Sequence, residues 1–237
     1  MDGWSSADAL PTGRSSIAAF MAGVYRWMAF GLALTGMVAY GITSSPSIQS
    51  MFYTRVPGGG VAVTGLFYVA VIAELALVFL FVPALNRVSM GAAVGMFLGY
   101  CALSGVSFAV VLLTYTSASI ASTLFVTGGA FFALSLYATV TKRDLSGIGS
   151  FLIIGLVGII LASIVNIFLH SPAVEFVVSC CGVLVFAGLT AYDTQKIRRI
   201  ALQGGEKFAL LGALTLYLDF INLFLFLLRF MGRRRND

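Results

Sequence analysis

The chain has 237 residues, of which 59% are hydrophobic and only 10% are charged. Soluble domains average about 25% charged residues, so this composition excludes an ordinary soluble protein and indicates an all-α integral membrane protein. The net charge of +5 does not point to nucleic acid as a partner, because the basic residues lie between the apolar runs, where they determine membrane topology.

Seven continuous apolar runs follow one another along the chain. Each has about the 20 residues that a helix needs to cross a bilayer, and their unbroken apolar character excludes a membrane β-barrel, whose strands alternate. We therefore predict one seven-helix domain over residues 17–231, a flexible N-terminal tail over 1–16 and a basic C-terminal tail over 232–237. The runs are Ile17–Thr43, Val61–Leu85, Val88–Tyr115, Ser119–Val140, Ile148–Leu169, Ala173 to about Asp193, and Phe208–Leu228. A continuation of run six as a helix beyond the membrane is left open.

In this topology the two sides of the membrane carry different numbers of basic residues. The excess on the N-terminal side predicts a cytoplasmic N-terminus and a C-terminus on the other side of the membrane. The basic cluster at the C-terminus opposes this, and a six-span chain with a re-entrant last segment is the alternative. The N-terminal side holds Arg14, Arg26, Arg87, Lys142, Arg143, Lys196, Arg198, Arg199 and Lys207, and the other side holds Arg55, Arg229, Arg233, Arg234 and Arg235.

The last run contains a carboxylate near its middle, Asp219. A charge at the bilayer centre costs about 2.5–3.5 kcal/mol on insertion scales, so an intramembrane acid is a candidate functional residue. Thr215, Asn222 and Phe226 share its helical face, since steps of three and four residues return to one side of a helix. This polar stripe is expected to face the bundle interior and to line a path.

Asp193, near the end of the sixth run, is the predicted partner of Asp219. If runs six and seven form a helical hairpin that turns at Gly204 and Gly205, Asp193 lies about 11 residues before the turn and Asp219 about 14 after it. At about 1.5 Å per residue, the two depths differ by about 4–5 Å. The carboxyls would then meet directly or through a water molecule.

Two carboxyls in a low-dielectric site cannot both ionise cheaply, so one is expected to hold a proton. Such a pair can act as a pH sensor, and its oxygens suit a weakly bound hard cation such as Ca²⁺. The alternative is a hydrogen-bonded pair that only holds two helices together. Arg87, at the cytoplasmic end of run two, is on the correct side of the membrane to compete with that cation for the carboxyls. Glu74, within run two, is a candidate to line the path or to pair with Arg26.

The segments Tyr192–Lys196 and Gly212–Phe224 strongly resemble the Bax inhibitor-1 family, in particular its bacterial inner-membrane members, and Val24–Met28 and Thr141–Gly147 fit the same family. The resemblance covers the chain beyond the N-terminal tail. It implies a last helix surrounded by six others, and a pH-sensitive calcium leak channel or exchanger in a bacterial inner membrane, with no cofactor. It also implies that Asp193 and Asp219 are the paired aspartates and that Arg87 is an arginine latch.

Two other functions compete with this one. An intramembrane aspartyl protease would also use two aspartates on consecutive helices, but Asp219 follows Tyr217 and Leu218 and lacks the Gly-x-Gly-Asp sequence of that class, so we expect no enzyme. A non-transporting regulator that binds a membrane protease or another membrane protein is the main alternative. In either case we expect a monomer with lipid around it.

Overall fold

The computed structural model describes residues 13–56, 61–201 and 205–235. Most of the predicted N-terminal tail, and the last two residues of the predicted C-terminal tail, lie outside the described residues. Eight α-helices and two short strands are described, namely α1 (Gly13–Ser44), α2 (Pro46–Phe52), β1 (Tyr53–Arg55), β2 (Val61–Val63), α3 (Gly65–Leu85), α4 (Met90–Thr114), α5 (Ser117–Val140), α6 (Gly149–Leu169), α7 (Pro172–Ile200) and α8 (Glu206–Met231).

Seven of the described helices, all except α2, are long and apolar enough to cross a membrane. A chain in hydrocarbon must pair every backbone N–H and C=O internally, and a continuous helix does this within one segment. The helices begin where polar side chains can cap them. Ser89, Thr116 and Ser171 accept hydrogen bonds from backbone N–H groups of the first turns of α4, α5 and α7.

The C-terminal helix α8 is the centre of the bundle. In its most apolar 18-residue stretch 61% of the residues are buried, against 11–44% in the other six spans. It packs against α1, α3, α4, α5 and α7, whereas α6 packs chiefly against α7. The prediction of a central last helix is therefore confirmed. The 26 residues of α8 form one unbroken helix, which has no break at which a re-entrant segment would turn back.

The connection between the first two spans contains structure that the apolar pattern did not predict. The helix α2 leads into an antiparallel hairpin in which Tyr53 pairs with Val63. The Tyr53 ring is buried, and its hydroxyl donates a hydrogen bond to the Val106 carbonyl of α4. Burial raises the pKa of Tyr53 above its usual range, so the hydroxyl stays protonated and continues to donate.

The loop between α5 and α6 is fixed to the end of α7. Asp144 accepts hydrogen bonds from the Ser146 N–H at 2.8 Å and from the Arg199 guanidinium at 2.5 Å. These two interactions lower the pKa of Asp144 to about 2, so this carboxylate is ionised at neutral pH. Gln195 adds a hydrogen bond from its amide to the Arg143 carbonyl at 2.9 Å. The contacts explain why α7 continues to Ile200, past the predicted end of run six.

Candidate functional site

The two predicted aspartates lie on α7 and α8, which form an antiparallel hairpin. Its register follows from two close approaches. A Cβ atom on Gly212 would lie 2.9 Å from Cγ2 of Ile197, and one on Gly182 would overlap the Phe226 ring. Since Ile197 is level with Gly212, Asp193, four residues nearer the middle of the bundle, is level with residue 216. Residue 216 is three residues from Asp219, so the two aspartates differ in depth by about 4.5 Å.

Asp193 and Asp219 line one cavity of about 700 Å³ between α6, α7 and α8. The two carboxyl groups are close enough to interact electrostatically. One wall is formed by branched side chains of α6, among them Ile160 and Ile164. The other carries the carboxyls, so the cavity is polar on one side and apolar on the other. It exists because α6 packs against α7 and leaves a space beside α8.

Asp219 is buried, with 4% of its surface exposed, and its Oδ2 atom has no hydrogen-bond partner in the described part of the molecule. An unpaired buried acceptor costs about 1–3 kcal/mol, and more if it is charged. Asp219 is left available to a proton, a water molecule or a cation.

Thr215 and Asn222 line the same cavity, as the polar stripe predicts. Their side chains are nevertheless bonded to their own helix. The Thr215 hydroxyl donates to the Leu211 carbonyl at 3.0 Å, and the Asn222 amide donates to the Leu218 carbonyl at 2.8 Å. The oxygen of the Asn222 amide is not used in that bond, so it can contribute to a cation's coordination shell.

Lys196 and Arg229 also line the cavity, and sequence reasoning did not single them out. The Lys196 ammonium lies 5.9 Å from the centre of the Tyr192 ring, and the Arg229 guanidinium lies 5.6 Å from that of Phe226. Lys196 is one turn from Asp193 and interacts with it electrostatically. The sequence did contain a pattern that indicates Arg229, because the helical face of Asp219 continues in steps of three and four residues to that position.

Arg87 lies apart from the aspartates. It is exposed in the turn between α3 and α4, and that turn is held at the start of α8 by a 2.6 Å hydrogen bond from Lys207 to the Val88 carbonyl. Asp219 follows Lys207 by twelve residues, or about 18 Å of helix. Neither of the two ion pairs in the described part of the chain contains Arg87.

Glu74 does not line the cavity, and no ion pair with Arg26 is described. Its carboxylate accepts hydrogen bonds from two hydroxyls of α4, those of Ser104 and Ser107, the latter at 2.8 Å. It therefore ties α3 to α4. Nearby, the Tyr217 hydroxyl lies 2.7 Å from that of Thr35, which places a second polar cluster on the face of α8 opposite the cavity.

The cavity offers at most a weak cation site from protein atoms alone. Two carboxyls supply up to four oxygens, whereas Ca²⁺ takes six to eight. Within the described ranges, no three His, Cys, Asp or Glu side chains come together to hold a metal ion. Water and the Asn222 amide would have to complete the shell. Such a site suits an ion in transit better than a resident one.

Comparison with known proteins gives a consistent result. A protein-family model described as "Inhibitor of apoptosis-promoting Bax1" matches residues 17–236. The inner membrane protein YbhL of Escherichia coli K12 is 44% identical over 242 residues, which cover 99% of this chain and 100% of that protein. A protein of Caulobacter vibrioides is 43% identical over 91% of this chain and 89% of its own, and one of Borreliella burgdorferi is 39% identical over 92% and 93%.

Proposed function

The chain belongs to the Bax inhibitor-1 family, and we propose that it is a pH-sensitive cation leak channel, with Ca²⁺ as the transported ion. In this proposal Asp193 and Asp219 are both the proton sensor and the transient cation ligands. The protein acts in a bacterial inner membrane, by analogy with the printed name of YbhL. The N-terminus faces the cytoplasm and the C-terminus faces the periplasm, in accordance with the excess of basic residues.

One observation carries the proposal, namely the buried Asp219 carboxyl with an unpartnered oxygen beside the cavity that it shares with Asp193. A carboxyl at mid-span is costly, and no cationic side chain of the described chain forms an ion pair with it to offset that cost. Polar groups that a fold leaves unsatisfied in this way call for an explanation. A bound cation or a proton supplies one.

Protons and cations compete for the same oxygens in this arrangement. When both carboxyls are ionised, they repel each other and attract a divalent ion. When one holds a proton, the pair can form a hydrogen bond that locks α7 against α8. Cation occupancy should therefore fall as the pH falls, and the flux should change with it.

The role of Arg87 as a latch is the part of the proposal that needs a conformational change. The α3–α4 turn would have to approach the cavity for the guanidinium to reach either carboxyl. A latch of this kind competes with the cation for the same charge. Arg87→Gln is expected to raise the leak and to leave its pH dependence in place, because the two aspartates remain.

The test is Ca²⁺ flux into proteoliposomes over a range of pH. Asp219→Asn is expected to change the flux and flatten its pH profile, because an amide neither titrates nor carries charge. The matched control is Glu175→Gln, which removes a half-exposed carboxylate that pairs with Arg234 outside the cavity. An Asp219→Asn protein whose flux and pH profile equal those of the wild type would refute the assignment. Absence of flux in the wild type, with a partner retained in fixed stoichiometry, would instead support a non-transporting regulator.

A further inference from the structure

A second cavity, of about 310 Å³, lies at the end of the bundle where α5 and α7 end, and its lining is strongly cationic. Lys142, Arg143, Arg198 and Arg199 all contribute to it. The carboxylate in the lining, Asp144, is already in an ion pair with Arg199. The other three cations have no carboxylate partner among the described residues, so the cavity holds an uncompensated positive charge.

Hydrogen bonds hold the Arg143 backbone and the Arg198 guanidinium in place at this cavity. Gln195 accepts from the Leu145 N–H and donates to the Arg143 carbonyl, both at 2.9 Å. The Arg198 guanidinium donates to the Thr139 carbonyl at 2.7 Å, at the end of α5. An arginine that is bound to carbonyls keeps its full charge and its remaining N–H donors. The cavity thus presents a fixed guanidinium from Arg198, with the exposed side chains of Lys142 and Arg143 beside it.

An apolar groove of about 310 Å³ lies between α1 and α5. It arises because α1 packs against α4 and α8 while α5 packs against α7 and α8, which leaves a space between the two. Two of the three hydroxyls in the lining are directed away from the groove, since Thr139 donates to the Ser135 carbonyl at 2.8 Å and the Ser135 hydroxyl lies 3.4 Å from that of Thr194. The lining is Tyr25, Phe131, Phe132, Ser135, Leu136 and Thr139.

The groove continues into the bilayer from the cationic cavity. On α5, Thr139 of the groove is followed two residues later by Thr141 of the cavity. On α1, Ile17 of the cavity precedes Tyr25 of the groove by about two turns. From Phe131 to Thr139 the groove is about 12 Å long. The chain therefore presents cationic groups at a span end and, beneath them, an apolar channel directed towards the bilayer centre.

We propose that this composite site binds one anionic phospholipid, with its phosphate on Lys142, Arg143 and Arg198 and an acyl chain in the α1–α5 groove. Arginine and lysine form charge-assisted hydrogen bonds with phosphate oxygens, and basic pockets between membrane helices bind anionic headgroups. A zwitterionic lipid is a poorer ligand because its own cation faces the same charges. The site is separate from the aspartate cavity and does not depend on ion transport.

The charge requirement can be tested by native mass spectrometry of the detergent-solubilised protein, titrated with phosphatidylglycerol or phosphatidylcholine. We expect one phosphatidylglycerol to be retained in preference to phosphatidylcholine. Lys142→Gln with Arg143→Gln should weaken its retention about 30-fold, at roughly a fivefold effect per cation near a membrane surface. The matched control is Arg87→Gln with Arg233→Gln, which removes two exposed charges outside both cavities and should leave retention unchanged.

The groove requirement is tested by Leu136→Trp, because the larger side chain would fill the groove. The wild-type Leu136 side chain is 51% exposed. The control is Leu124→Trp, on the same helix at 50% exposure and outside the groove. We expect only Leu136→Trp to displace the lipid. Equal retention of both lipids, or unchanged retention in the double glutamine variant, would overturn the proposal. Retention that inorganic phosphate abolishes and Leu136→Trp leaves intact would also overturn it, since that result identifies a small phosphate ligand.

Discussion

Replacing Glu74 tests whether a carboxylate clamp holds α3 on the bundle. Glu74→Ala removes the acceptor for the Ser104 and Ser107 hydroxyls. Because Ser104 is only 2% exposed, solvent water cannot replace that acceptor. Each hydroxyl left without its partner costs about 1–3 kcal/mol. Part of the cost at Ser104 is offset, because its hydroxyl also contacts Tyr100 and Tyr217. We expect a net loss of about 3 kcal/mol in the free energy of unfolding.

A loss of that size should lower the unfolding temperature by roughly 6–12 °C for a chain of this length. The measurement is thermal unfolding of the purified protein in one detergent, followed by intrinsic fluorescence. Glu74→Gln keeps an acceptor oxygen and adds an amide that can donate to the second serine, so it should stay within about 1 kcal/mol of the wild type. Leu75→Ala is the matched control, because this neighbouring side chain is 52% exposed.

A double-mutant cycle makes the reasoning refutable. If Glu74 and the α4 hydroxyls form one unit, Glu74→Ala combined with Ser104→Ala should cost less than the sum of the two single changes. The reason is that the combined variant lacks the buried Ser104 hydroxyl that Glu74→Ala alone leaves without an acceptor. Additive losses would show that the clamp does not exist. Equal destabilisation by Glu74→Ala and Glu74→Gln would point to the charge of Glu74 and away from its hydrogen bonds.

Two further predictions concern packing and acid sensitivity. Gly182→Ala should destabilise the α7–α8 hairpin by about 2 kcal/mol and lower the unfolding temperature, because the new Cβ overlaps the Phe226 ring. The control is Gly158→Ala on α6, which has open space around it and should change the unfolding temperature little. The Asp144 pKa of about 2 lies below its usual 3.8, so the stability from its ion pair with Arg199 is fully present above about pH 4 and is lost as the pH falls towards 2. Asp144→Asn should therefore flatten the dependence of the unfolding temperature on pH between 4 and 2 and leave its slope above pH 5 unchanged; an unaltered slope below pH 4 would contradict this.

The spans were predictable from the sequence because their cause is local. An apolar run of bilayer length has only one way to pair its backbone, so the seven runs became seven helices. Their ends were less predictable. The apolar part of run six ends at about Asp193, and the prediction left open that its helix continues past the membrane; α7 does continue, to Ile200. Arg198 binds the Thr139 carbonyl at the end of α5 and Arg199 binds Asp144 of the next loop, and both contacts stabilise these added turns.

The candidate site was predictable only in part. The depths of Asp193 and Asp219 follow from the rise per residue of a helical hairpin, and the register of α7 against α8 agrees with that arithmetic. Glu74 was different, because helical spacing alone cannot tell whether a side chain faces a cavity or a neighbouring hydroxyl. The packing of α3 against α4 brought Ser104 and Ser107 to it.

By itself, the sequence determined the membrane class, the number of spans and the carboxyl pair near the middle of the bundle, because each depends on run length, charge cost or spacing along one helix. The tertiary structure decided which helix stays away from α8 and so opens the cavity beside Asp219. It also decided that Arg87 lies in a turn bound to Lys207, which is about 18 Å along α8 from Asp219, and that a cationic cavity adjoins an apolar groove. These features are spaces between helices, and a space depends on how separate segments pack together, which no single segment encodes.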